Sequence, residues 1–404
     1  MKQKIIDQLK ELRDQFYYEV EKRYENFTEE YVRAAYLNKV LEIFGWNIND
    51  TGEIIQEKVI TNKATLDNLK SISSRHRKPD YQLLDRGVLK LYLDAKNARI
   101  NFLKNTSISF QIRSYGWSAG LSFSMVSDFE YFRIYDTRTK PDIKMAADYK
   151  TITFSIDDLI NEPDLYFQFL SKKKIQNNDW DLEPFSIEIK EGYLKSIGHD
   201  FIELISRLQI NLANGLLENP KLSTTNLQYY AQIIINRLLF HRVLESIEYE
   251  PEGRLLEWFN NGNGFWDQFN NSCINEYYKK YDGAMYEYTI PKNIKIPDRC
   301  FEEFVDSIYI YSPYKFDAIE PEFIAEMYDY FLGKELVFLE NKIMIKNKKF
   351  LPKGSVPTPP IFAGYVVKNI LNYSDLKTEE DVLKLKILDM IFSKMIQKPT
   401  LYVC

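Results

Sequence analysis

Two acids and a lysine stand at a spacing suited to metal-assisted cleavage of a phosphodiester. Lys78-Pro79-Asp80-Tyr81 is followed by Leu91-Tyr92-Leu93-Asp94-Ala95-Lys96, which reads P-D-x13-D-x-K. If Asp80 opens one strand and Asp94 closes its partner, the two carboxylates converge at one end of a sheet. Lys96 lies two residues beyond Asp94 and faces the same way, because side chains alternate along a strand. Carboxylate oxygens hold a hard cation such as Mg²⁺, which polarises a phosphoryl oxygen and lowers the pKa of a water; an ammonium group orients the attack. Asp80 and Asp94 are the metal ligands in this reading.

Rival pairings exist. Pro-Asp recurs at Pro141-Asp142, Pro163-Asp164 and Pro297-Asp298, and acid-x-Lys recurs in Asp142-Ile143-Lys144 and Glu188-Ile189-Lys190. Asp164 falls at the start of a helical pattern, where a carboxylate serves the helix dipole. Asp80, Asp94 and Lys96 alone place both acids on consecutive strands. A second element lies on the helix after the Asp94 strand: in Gln111-Ile-Arg-Ser-Tyr115 the Gln and Tyr are i and i+4. They share a helix face, and that face would lie over the carboxylate end.

The elements that must position these residues are legible. Residues 1–24 and 28–44 read as helices, the second with Tyr36, Leu37, Val40, Leu41 and Phe44 on one stripe, Thr28 as its N-cap and a stop at Gly45. Residues 54–61, 80–84 and 89–95 read as strands, the last two joined across Asp85-Arg86-Gly87. A helix around 106–119 and two strands, LSFSMVSD and YFRIYDT, follow. Alternation of this kind specifies an α/β domain. From about residue 155 the periodicity turns helical, and a basic, proline-rich junction lies at 346–360.

Composition excludes other classes. The chain has 404 residues, 45% hydrophobic and 27% charged, with a net charge of −5. At about 150 residues per domain this gives two or three domains with ample cores, and it excludes a wholly basic nucleic-acid coat. Three cysteines without CxxC spacing and three scattered histidines make neither a disulfide framework nor a zinc knuckle. The apolar runs are too short to span a bilayer, so a cytoplasmic protein without membrane contact is expected.

P-D-x13-D-x-K, then Q-x3-Y, then GWSAGLSFSMVSDFEYFRIYD together resemble the PD-(D/E)xK nuclease domain of restriction enzymes. The best match is the amino-terminal nuclease of type IIG restriction–modification proteins, fused endonuclease and adenine-specific DNA methyltransferase chains. The resemblance implies that Asp80 and Asp94 bind Mg²⁺, that Lys96 serves the attacking water, and that Gln111 and Tyr115 buttress the site or contact phosphate. It also implies an acid on the upstream helix, Glu29 first and Glu30 next. Arg75, Arg77 and Lys78 would meet phosphates of double-stranded DNA; such contacts position the duplex without reading its sequence.

The expected fold is therefore an α/β PD-(D/E)xK restriction-endonuclease-like domain over 1–175. A mostly α-helical connector over 176–350 follows, then an incomplete methyltransferase segment over 351–404. NLQYYAQIIINRLLFHRVLES resembles the connector helix after the nuclease and reads as an amphipathic scaffold with Ile233, Leu238, Leu239 and Val243 in a core. KGSVPTPPIFAGYVVKNIL resembles the first methyltransferase element, but the Gly-rich turn that would receive S-adenosylmethionine does not follow Asp389, and no Asn-Pro-Pro-aromatic motif occurs. S-adenosylmethionine is thus not expected to bind here. The expected activity is a Mg²⁺-dependent DNA endonuclease, with methylation and specificity supplied by a separate polypeptide. The alternative is a truncated, inactive or partner-dependent remnant that only binds DNA or a partner.

Overall fold

A computed structural model describes residues 2–319 apart from 24–26, 57–78, 99, 145–150, 186–196, 220–221, 263, 282–283, 288–289, 292 and 311; beyond 319 it describes 330, 333–339 and 342–348. Two compact units result, the first comprising 1–203, 243–253 and 305–319, the second 204–242, 254–304 and 320–404.

The first unit is built on a six-stranded mixed sheet in the order β1-β2-β3-β4-β5-β6. The strands are β1 (Ile54–Gln56), β2 (Tyr81–Asp85), β3 (Val88–Ala95), β4 (Phe123–Ser127), β5 (Tyr131–Asp136) and β6 (Thr151–Ser155). Arg86 and Gly87 both have positive φ, 50° and 86°, the backbone a two-residue hairpin loop needs to match strand twist. Among the strand pairs, β3 and β4 alone run parallel, and a parallel pair requires a crossover. Helix α4 (Thr106–Ser118) supplies it, with Asn105 as N-cap accepting from Ser107 and Ile108 N–H. Before the sheet come α1 (Lys2–Arg23), α2 (Glu29–Val32), a π turn (Arg33–Leu37) and α3 (Asn38–Ile43); α5 (Ile156–Asn161) follows it.

Strand alternation divides two cores. Leu91, Leu93, Ala95, Phe132, Ile134 and Phe154 face α1–α3; Tyr92, Val126 and Tyr135 face Ile112 and Tyr115 of α4. Phe16 anchors the first, with ring centroids 5.1 Å from Tyr36 and 4.8 Å from Phe129. A buried ring of this size contributes about 1.5–3 kcal/mol. On the other face α4 approaches closely because residue 116 is glycine: a Cβ there would lie 2.3 Å from Ser124 Oγ and 2.5 Å from Thr137 Cγ2.

The second unit is mainly helical in its described part. It includes most of α6 (Ile197–Leu217) and α7 (Thr224–Ser246), then α8 (Arg254–Asn260) and α9 (Phe265–Ser272). A hairpin, β7 (Lys334–Leu339) with β8 (Lys342–Asn347), breaks the helical expectation. Leu336 and Ile343 bury against Ala213, and the Gln228 amide clasps β7 through Lys334 O and Leu336 N–H, both at 3.2 Å. Of the core expected in residues 226–246, Leu238 and Leu239 are buried, but Ile233 and Val243 are half-buried, and Arg237, His241 and Arg242 are buried with Ile234 and Ile235, which corrects the amphipathic reading. A helix covered on several sides carries no single apolar stripe. The strand expected over 54–61 ends at Gln56 within the described residues, and the expected methyltransferase segment lies outside them.

Candidate metal centre

Register brings the two acids together. Tyr81 pairs with Leu93 across β2 and β3, so continuing the ladder by one residue sets Asp80 beside Asp94. The backbone then locks Asp80: its Oδ2 accepts the Ala95 N–H at 2.8 Å. Lys96 leaves the end of β3 on the Asp94 face, and its Nζ lies 2.6 Å from Asp94 Oδ2 and 3.7 Å from Glu29 Oε1.

Helix α2 brings the third carboxylate. Thr28 caps it, Oγ1 accepting the Tyr31 N–H at 3.1 Å, and Glu29 is the first helical residue. One carboxylate oxygen from each of Glu29, Asp80 and Asp94 lies within 4.8 Å of the other two. Asp80 and Asp94 are buried and Glu29 is half-buried, whereas Glu30 is exposed. Between the two upstream acids, the structure brings Glu29 to the cluster.

A residue that the motif does not contain completes the group. Arg33 Nη1 donates to Asp80 Oδ1 at 2.7 Å, with both side chains largely buried. Arg33 opens the π turn, whose i+5 bond runs from Asn38 N–H to the Arg33 carbonyl. Tyr81, next to Asp80, braces that turn: its hydroxyl donates to Asn38 Oδ1 at 2.8 Å and lies 3.3 Å from the Arg33 carbonyl. π turns of this kind recur at functional sites. The available signal was spacing, since Arg33 is four residues after Glu29 on the same helix face.

Electrostatics follow from this crowding. Burial, then the charges of Asp94 and Glu29, push Asp80 up to about 7 against the opposing pull of Arg33 and the Ala95 N–H. Burial draws Lys96 down, but Asp94 and Glu29 outweigh it and hold the ammonium above its ordinary value. Lys96 is thus a protonated donor at neutral pH. Among the described residues the cluster sets three carboxylates beside two cations, Arg33 and Lys96.

The remaining candidates fall as follows. Tyr115 is buried; its ring packs 5.8 Å from Tyr92 and its hydroxyl donates to Asp317 Oδ2 at 3.3 Å. That position lies in the core between α4 and the sheet, with Tyr92, Val126 and Tyr135. Gln111 is half-buried one turn nearer the start of α4. Arg75, Arg77 and Lys78 lie outside the described residues, as does the rival Glu188–Lys190 segment. The rival Asp164 pairs with Lys2 at 2.6 Å on the surface. Among the described residues no helix is long and apolar enough to cross a membrane.

No family model matches this sequence, and no solved structure matches it. Over 395 residues, 95% of the chain, it is 24% identical to the type II restriction enzyme and methyltransferase RM.Eco57I of Escherichia coli, and it spans 39% of that protein's length. The similarity therefore runs to a restriction–modification protein.

Proposed function

We propose that the first unit is the nuclease part of a restriction–modification protein, a PD-(D/E)xK domain that hydrolyses phosphodiesters of double-stranded DNA with Mg²⁺. The observation that carries this reading is the convergence of Glu29, Asp80 and Asp94 on one point, with Lys96 touching two of them. The donor set fits the ion. It offers carboxylate oxygen only, the preference of a hard divalent cation, and burial together with the charges of Asp94 and Glu29 pushes Asp80 up to about 7. Similarity over 95% of the chain to a restriction enzyme and methyltransferase supports the same reading.

Glu29, Asp80 and Asp94 would hold the ion, which when bound would supply Lewis-acid polarisation of the phosphoryl oxygen and a water of lowered pKa. The protein's own groups do the rest. The Ala95 N–H fixes the Asp80 carboxylate without a movable side chain. Lys96, held protonated, directs N–H donors into the cluster, where an anionic phosphate oxygen would be neutralised as charge builds on it. Half-exposed Glu29 is the carboxylate nearest solvent and can accept the proton that the attacking water loses.

The test is nicking of supercoiled plasmid by the full chain with Mg²⁺, comparing wild type with Lys96→Ala. Cleavage by wild type and its loss in the variant is the expected result. Equal nicking by both would overturn the assignment. Binding of DNA without cleavage in Mg²⁺ or Mn²⁺ would favour the remnant reading, in which the unit serves a partner polypeptide. DNA as partner, a cytoplasmic setting, and methylation by another polypeptide belong to this proposal.

A further inference from the structure

Each oxygen of Asp80 accepts from a nitrogen donor. Oδ2 accepts the Ala95 N–H at 2.8 Å and Oδ1 accepts Arg33 Nη1 at 2.7 Å. One of these donors is backbone and stays with the sheet; the other is a cation on a side chain of many rotamers. In the same pose the Arg33 guanidinium is 5.7 Å from the centre of the Tyr81 ring, within reach of a cation–π contact that can still hold the cation if it leaves Oδ1. A divalent ion at Asp80 and a guanidinium on the same carboxylate repel each other in a site where burial weakens screening.

We propose that Arg33 is a positioning residue that competes with the divalent ion for Asp80 and thereby sets the metal affinity of the centre. It holds the Asp80 carboxylate in place while no ion is bound, and it gives up Oδ1 when one enters. This rests on the metal-centre reading above and extends it to a residue outside the P-D-x13-D-x-K pattern. Arg33 touches Asp80 and Lys96 touches Asp94, while both cations also feel the charge of Glu29. A role confined to packing would give the opposite sign, since loss of a brace loosens the acids and weakens ion binding.

The experiment is calorimetric titration of the full chain with Mg²⁺ at pH 9, where protons no longer compete for the acids. Wild type, Arg33→Met, Arg33→Lys and Asp94→Asn are compared, and circular dichroism confirms that each is folded. Arg33→Met should bind Mg²⁺ about tenfold more tightly than wild type. Arg33→Lys keeps the charge and should stay near wild type, and Asp94→Asn should lose binding. Equal or weaker binding by folded Arg33→Met overturns the inference while leaving the metal centre intact. Absence of Mg²⁺ binding in both wild type and Arg33→Met overturns the centre and the inference together. Should Arg33→Met fail to fold, Arg33→Gln takes its place under the same criterion.

Discussion

The two units bury charge in opposite ways. In the first, three carboxylates gather at the end of β2 and β3, where among the described residues Arg33 and Lys96 touch them. In the second, Arg237 and Arg254 are dispersed, and each has a quiet partner. Arg237 donates to the Met285 carbonyl at 3.0 Å and lies 5.4 Å from the Tyr286 ring centre. Arg254 makes a paired contact with Glu276, at 3.1 and 2.8 Å, and stacks 4.8 Å from the Trp258 ring centre. The second arrangement is what a fold alone requires, because a buried charge is tolerable once paired or laid on an aromatic face. The first leaves like charges crowded in a dry place, a cost that no packing need explains and that a bound cation would relieve. Crowded like charge thus separates a candidate site from scaffold without reference to any motif.

Substitutions can break this contrast, and the largest effect should fall on chemistry. Asp80→Asn should lower plasmid nicking about 10²–10⁴-fold while the chain stays folded, as gel-based cleavage alongside circular dichroism would show. Arg237→Ala, in the second unit, should cost roughly 2–4 kcal/mol of stability in urea unfolding and leave Mg²⁺ titration unchanged. If it altered metal binding, the separation drawn above would fail. Gly116→Ala should destabilise the first unit by about 1–3 kcal/mol through overpacking, because the added methyl meets Ser124 and Thr137. Thr28→Ala removes the cap in front of Glu29 and should cost about 1 kcal/mol, seen as a lower Tm.

The smallest effect is on pH, and its sign is distinctive. Asp80 is raised from 3.8 to about 7 in the folded chain, and burial lifts Asp128 to about 7 as well. Between those values the folded state holds protons that the unfolded state releases, so stability falls as pH rises through this window and levels off above it. Metal-free protein should therefore melt at a higher temperature at pH 6 than at pH 8. Asp80→Asn should flatten part of that slope, and Mg²⁺ should compress it further. A Tm that rises with pH over this range would contradict the crowding argument.

Much of the positioning fold was legible locally. The β2–β3 hairpin announced itself through Asp85-Arg86-Gly87, and the stripe Tyr36, Leu37, Val40, Leu41 and Phe44 is buried throughout. Strand β6 was missed although Thr151-Ile-Thr-Phe alternates, because its run leads without a break into Ser155 and the capping box of α5. The β7–β8 hairpin was missed although Leu336-Val-Phe-Leu and Ile343-Met-Ile are apolar runs, and Leu336 and Ile343 gain burial from Ala213, over a hundred residues away in sequence. Segments 243–253 and 305–319 group with the first unit; such long-range association leaves no trace in local periodicity. At the site, the acids and Lys96 follow from strand register, and Glu29 came through resemblance. Arg33 escaped because its role depends on a meeting between a helix and a strand end 47 residues apart.

The π turn between α2 and α3 gives the site a hinge point in reading-frame terms. A π turn holds one residue more than the α-helix needs, and each α-helical residue turns the chain by about 100° and advances it about 1.5 Å. Loss of a single residue such as Ala34 would restore a regular helix. The stripe from Tyr36 to Phe44 and Glu29 before it would then keep their directions, whereas winding the same residues into a regular α-helix without the π turn would swing Glu29 about a quarter turn around the axis. The π turn thus lets one continuous helical run both pack its stripe in the core and deliver a carboxylate to the end of the sheet.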